Sequence, residues 1–166
     1  MDLLATPPSI DLNDRSWIIH TRTEERPPVR MSRGSVVCDS MIADGCVIER
    51  GAVIERSVLS PGVRVMSGAK IQESIILTDT VVGENTLIYR SIIDKRVTIG
   101  ENCQIGISLP EDELRLCTIG KNSQLPPETI VEAGAVIGTD VVPSDFPSRT
   151  VRNGAYIQTK RMPYEV

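Results

Sequence analysis

A spacing, not a catalytic motif, constrains this chain most. Aliphatic residues fall at Met31, Val37, Ile42, Ile48, Ile54, Leu59, Val65, Ile71, Ile76, Val82, Ile88, Ile93, Ile99 and Ile105, in steps of 6, 5, 6, 6 and 5 that recur, so that three steps make a 17-residue repeat. Ser40, Ser57, Ser74 and Ser91 keep the same period in an independent register, ending the blocks CDS, ERS, QES and YRS. A period of this length marks an architecture in which each repeat packs only against its neighbours.

Each repeat divides into three sides that begin at an aliphatic residue. The fifth position of the six-residue sides holds Ser35, Cys46, Ala52, Val63, Ala69, Thr80, Thr86, Val97 and Cys103, all small or β-branched. The fourth position of one side is Gly34, Gly51, Gly68, Asn85 and Asn102, the residue types that accept a positive φ at little steric cost. A chain that runs a few extended residues, turns, and does so three times per repeat builds a triangular prism of stacked parallel strands with aliphatic ladders inside. An ordinary parallel α/β fold is the competitor, but no helical pattern of 10 to 15 residues separates the strands.

Composition agrees. Aromatics make up 3% of the 166 residues and hydrophobic residues 40%, which suits a core of Ile, Val and Leu in short strands. A net charge of -4 with no basic, aromatic-laced stripe argues against nucleic acid. No apolar run approaches the ~20 residues of a membrane helix and no signal-peptide pattern opens the chain, so a cytoplasmic setting is expected. Cys38, Cys46, Cys103 and Cys117 lack C-x-x-C spacing and read as small thiols, mostly buried.

Outside the repeat, residues 1–30 read as an extended linker and cap, with Trp17, Ile18 and Ile19 covering the open end of the core. Residues 31–142 form the prism. Residues 106–117, GISLPEDELRLC, interrupt it as an outward loop or short helix, and the ladder resumes at Ile119, Leu125, Val131 and Ile137. In 143–166 the Asn153-Gly154 pair predicts a hairpin.

The units IGENCQ, IGKNSQ, VEAGAV and IERGAV resemble the hexapeptide repeat of left-handed parallel β-helices. The resemblance implies an all-β, left-handed parallel β-helix of about six coils; the hand comes from it alone, since parallel crossovers are otherwise right-handed in about 98% of cases. More closely, DLNDRSWIIHTRTEERPPV, the following GSVVCDSMIADGCVIERGAVIERSVLSPGVRV and the later RSIIDKRVTIGEN resemble the carboxy-terminal part of glucose-1-phosphate adenylyltransferases. That likeness implies a domain for oligomerisation and allosteric regulation, with a partner nucleotidyltransferase domain on its amino-terminal side that supplies catalysis with Mg²⁺ and ATP. MDLL resembles the link between the two domains, and the absence of any G-x-G here fits a chain without the catalytic domain. No cofactor is expected in these residues, no catalytic residue is assigned, and a homo-oligomer, a tetramer for the full-length protein, is expected.

Two other readings compete. One is a free-standing hexapeptide scaffold; the other is a hexapeptide acyltransferase, for which the single His20 lies outside the repeat. A zinc site of the carbonic-anhydrase kind, which shares the fold, would need three His.

The candidate ligand site is anionic. The family's I-I-D-K run is matched by Ile92-Ile93-Asp94-Lys95, and a second family lysine by Lys121 ahead of LPPET. Lys95 is the third residue of the side beginning at Ile93 and Lys121 the third of that beginning at Ile119. If the insertion lies between coils, the two stack about 4.8 Å apart, an arrangement suited to a phosphorylated effector. The alternative is two unrelated surface lysines. Arg22, Arg26, Arg30 and Arg33 form a second basic cluster, read as a domain contact.

Overall fold

A computed structural model describes residues 2–12, 14–17, 25–107 and 115–161. Three parallel sheets form the faces of a prism. The first holds six strands, Arg30–Met31 through Gln124–Leu125. The second holds seven, Val36–Cys38 through Thr150–Val151, and the third seven, Met41–Ile42 through Tyr156–Ile157. The molecule is an all-β parallel solenoid of about seven turns, consistent with a left-handed β-helix.

Register follows the repeat. Val47 pairs with Arg64, Ile54 with Ile71, and Leu59 with Ile76, each 17 residues on. Because Cβ atoms alternate along a strand, every second residue points inward. Ile48, Ile54, Leu59, Ile71, Ile76, Ile93, Ile105 and Ile119 are buried, and so are the small residues Cys46, Ala52, Val63, Ala69, Val97 and Cys103 at the corners. Met31 remains 51% exposed because its coil is the first and has a neighbour on one side only.

The serine period has a hydrogen-bonding cause. Each hydroxyl donates to the carbonyl two residues back and accepts the backbone N–H of the next serine up the stack: Ser57 to Ser40, Ser74 to Ser57 and Ser91 to Ser74, at 3.1 to 3.2 Å. The residues just before them, Asp39, Arg56, Glu73 and Arg90, turn this corner with φ between 42° and 48°. Charged residues bear a left-handed conformation here because the serine bonds and their own ion pairs fix it: Glu73 bridges Arg56 and Arg90.

The strands continue beyond residue 142. The hairpin expected around Asn153-Gly154 does not form. Thr150–Val151 adds in parallel to Ile130–Glu132, and Tyr156–Ile157 in parallel to Val136–Ile137, so the segment makes a further coil and the total is seven, not six. A two-residue hairpin of type I′ needs positive φ at both central residues, and only Gly154 has it, at 73°. The dipeptide turns a prism corner, and Val151 extends the inner ladder.

At the amino-terminal end, Trp17 is 65% exposed and does not cover the core; Ile18 and Ile19 lie outside the described residues. The interruption at 106–117 falls between the strands Gln104–Ile107 and Cys117–Ile119, and its residues 108–114 also lie outside the described residues. At the other end a short 3-10 turn, Pro143–Asp145, with Phe146, closes on the last coil.

Candidate functional site

The interruption does not disturb the stack. Ile93 pairs with Ile119 in parallel, so the 26-residue step replaces the 17-residue one at this point only. Lys95 and Lys121 therefore stand on consecutive coils at the same corner. The backbone N–H of Asn122 donates to the carbonyl of Lys95 at 2.9 Å, and that of Asp140 to Lys121 at 2.9 Å. Adjacent strands in a sheet are about 4.8 Å apart, so the two side chains leave the corner as neighbours. Both are exposed, and neither has an ion-pair partner among the described residues.

Their surroundings add one more cation. Arg96, next to Lys95, donates from Nε to Asn122 at 2.8 Å, and Asn122 donates to the Asp140 carboxylate at 2.7 Å. Asp94 accepts the Lys95 backbone N–H at 2.7 Å, which turns its carboxylate toward the chain. Three cations thus face two carboxylates that are already engaged. Two ammonium groups this close repel unless an anion lies between them, and a tetrahedral oxyanion fits that place.

The arginine cluster divides. Arg26 makes a two-pronged bond to Asp79, and Arg30 reaches Glu49 at 2.5 Å; Arg33 is exposed with no ion pair among the described residues, and Arg22 lies outside them. Arg26 and Arg30 line a shallow cleft on the first face, of about 590 Å³, together with Pro27, Pro28, Val47 and Arg64. The chain enters the stack there, where Gly45 N–H donates to the Pro27 carbonyl at 2.7 Å. Sequence reasoning missed Asp79 and Arg64. A signal existed for Asp79, which stands in the turn column otherwise filled by Gly45 and Gly62.

Nucleophilic chemistry has no support in the thiols. Burial pushes the Cys46 and Cys103 thiols up, and it pushes Cys117 up to about 12 despite the Ser91 hydroxyl beside it. Among the described residues no three His, Cys, Asp or Glu side chains gather as a metal site would require. No described helix is long and apolar enough to cross a membrane.

Comparison with known proteins places this geometry. The chain is 44% identical over 48 residues to glucose-1-phosphate adenylyltransferase of Thermomicrobium roseum, a stretch covering 29% of this chain and 11% of that protein. It is 44% identical over 48 residues to the enzyme of the same name from Clostridioides difficile and 40% over 48 residues to that of Streptomyces avermitilis, covering 29% of this chain and 12% of each. The matched stretch is thus about an eighth or less of the curated relatives' length. The profile of the GlmU-like C-terminal hexapeptide family matches residues 28–122. That match takes in more than half of the residues and the whole regular part of the stack up to the lysine pair, and the chain belongs to the GlmU-like C-terminal hexapeptide family.

Proposed function

We propose that this chain is the carboxy-terminal assembly and regulatory domain of a cytoplasmic glucose-1-phosphate adenylyltransferase. The parent enzyme joins ATP and glucose 1-phosphate into ADP-glucose and pyrophosphate, in glycogen or starch synthesis. The 44% identity over 48 residues to enzymes of that name is the observation that carries the reading. Catalysis, with Mg²⁺ and ATP, belongs to a nucleotidyltransferase domain outside the stack; the described residues gather no metal-binding group and supply no step.

In this reading Lys95 and Lys121 hold the phosphate of an effector, and Arg26, Arg30 and Arg33 face the catalytic domain where the chain enters the prism. Support for the first comes from the unpaired, stacked ammonium groups. Support for the second comes from the position of the three arginines on the first coil and its approach.

The polypeptide encoded by the complete reading frame is assayed for pyrophosphate release from ATP and glucose 1-phosphate across a titration of inorganic phosphate. Adenylyl transfer that responds to phosphate, with the response weakened about tenfold or more in Lys95→Ala and Lys121→Ala, is the expected result. No adenylyl transfer rejects the enzyme assignment; transfer with an unchanged phosphate response in both variants rejects the effector site.

A further inference from the structure

The three faces of the prism differ in what they show to solvent. The outward column of the first face contains Arg30 and Arg64, and that of the second contains Lys70. On the third face the outward column runs from Met41 to Tyr156, one residue per coil, without a charged side chain. Val58, Ile75, Ile92 and Val136 form its apolar middle, each partly or fully open to solvent, and Tyr156 at the end is 60% exposed.

Two residues further along each strand the next outward column is mostly small: Ala43, Ser60, Gly120 and Gly138, with Leu77 and Asp94 as exceptions. Asp94 is the one charge in both columns, and its carboxylate is turned to the Lys95 N–H. Beside Gly120 and Gly138 the surface sinks into a groove of about 450 Å³, walled by Val136 and Tyr156. The face therefore carries a ridge and, parallel to it, a trough.

We propose that the third face is a self-association surface on which two copies of the chain pair side by side, about a two-fold axis parallel to the coil stack. This rests on the assembly role proposed above and adds its surface and geometry. A second copy is the occupant because the face complements itself. Rotation about an axis parallel to the stack lays the ridge of each copy over the trough of the other, coil level with coil, whereas a two-fold perpendicular to the stack sets ridge on ridge.

Charge points the same way. Two copies of a chain with net charge -4 repel, and this is the face where they can approach without bringing charged columns together. Size sets the strength. Seven coils at about 4.8 Å and a side of about 17 Å give on the order of 600 Å² per copy, or about 1,200 Å² in total, the lower edge of specific interfaces. The pair is therefore concentration-dependent.

Sedimentation velocity on this chain from about 1 to 200 μM tests the surface, with Ile75→Lys and Val136→Lys as variants. Both substitutions point outward, and circular dichroism confirms that the variants fold. A monomer–dimer equilibrium weakened at least tenfold in each variant is expected. A dimer indifferent to both substitutions overturns the proposal and leaves the assembly role standing; a wild-type chain that stays monomeric throughout overturns both.

Orientation is read by electron–electron distance measurement with a spin label on Met41→Cys in a Cys38→Ser background. An axis parallel to the stack keeps the two first coils together and gives a separation under about 20 Å, whereas the perpendicular axis sets them about six coil spacings, about 29 Å, apart. The longer distance overturns the geometry.

Discussion

Arg26 and Asp79 are joined across two coils by a two-pronged ion pair, Nη1 to Oδ1 at 2.6 Å and Nη2 to Oδ2 at 3.1 Å. The guanidinium lies over Gly62, and the aliphatic stem over Gly45, because neither glycine has a side chain in a column where later coils carry Asp79 and Arg96. The segment entering the prism is held down through this pair. A Cβ at Gly62 would overlap both the guanidinium and the Asp79 carboxylate, in a backbone with φ of 78°. Gly62→Ala should therefore cost about 1 to 3 kcal/mol, strain and the displaced ion pair together, read by urea unfolding. Asp79→Ala should leave the stack folded and expose residues 25–28 to protease.

The same pair sets a pH dependence. The hydrogen bond from Arg26 holds the Asp79 carboxyl below its usual range, aided by the Arg26 and Arg96 charges and opposed by slight burial. A carboxylate whose folded pKa is lowered stabilises the fold above its unfolded value, and that contribution disappears as pH falls through the folded value. Protease sensitivity of the entering segment should rise below about pH 4, where carboxylates ordinarily titrate, and Asp79→Ala should remove the transition.

Ser74 illustrates how the stack satisfies its backbone. Its hydroxyl donates to the Gln72 carbonyl and accepts the N–H of Ser91, and both serines are buried. Ser74→Ala leaves that N–H without an acceptor, and an unsatisfied buried donor costs about 1 to 3 kcal/mol. Ser40→Ala, at the exposed end of the same ladder, should cost less. Thermal melts of the two variants side by side check the order.

Much of this was legible beforehand, for identifiable reasons. Inward positions must be aliphatic in every coil, so Ile54, Ile71 and Ile88 announce the repeat wherever it occurs. Lys95 and Lys121 keep the same offset from Ile93 and Ile119, and their stacking follows from register alone despite the residues between. What was hidden depends on groups outside that register. Arg26 belongs to a segment with no repeat, so nothing in spacing ties it to Asp79. Asp39, Arg56, Glu73 and Arg90 are poor left-handed residue types, and their corner shows only once the serine hydroxyls hold the next coil. Asn153-Gly154 misled because a corner of this prism uses the same residues as a hairpin with a different first φ.

The four thiols should separate by reactivity. Cys38 is exposed, whereas Cys46, Cys103 and Cys117 are buried, with burial pushing all three thiols up and Cys117 to about 12. Since the thiolate is the reactive species, a disulfide reagent at pH 8 should titrate one thiol per native chain rapidly and the other three only on unfolding. Fast modification of two or more in the folded chain would contradict the sealed core.

The carboxy-terminal closure makes the last prediction. Asp145 is 4% exposed and accepts the N–H groups of Val142 at 3.0 Å and Lys160 at 3.1 Å, tying the final segment back to the turn that precedes Phe146. Burial pushes its carboxyl up, but those two hydrogen bonds, the Thr159 hydroxyl and the Lys160 charge outweigh it and hold the pKa low. The tie is therefore present at neutral pH and lost as pH falls through that lowered value. Asp145→Ala should lose about 1 to 3 kcal/mol at pH 7, because two backbone donors lose a charged acceptor, and the gap to wild type should close below about pH 3. Urea unfolding at the two pH values measures both, and a gap that persists unchanged in acid would mean that Asp145 acts through packing instead of charge.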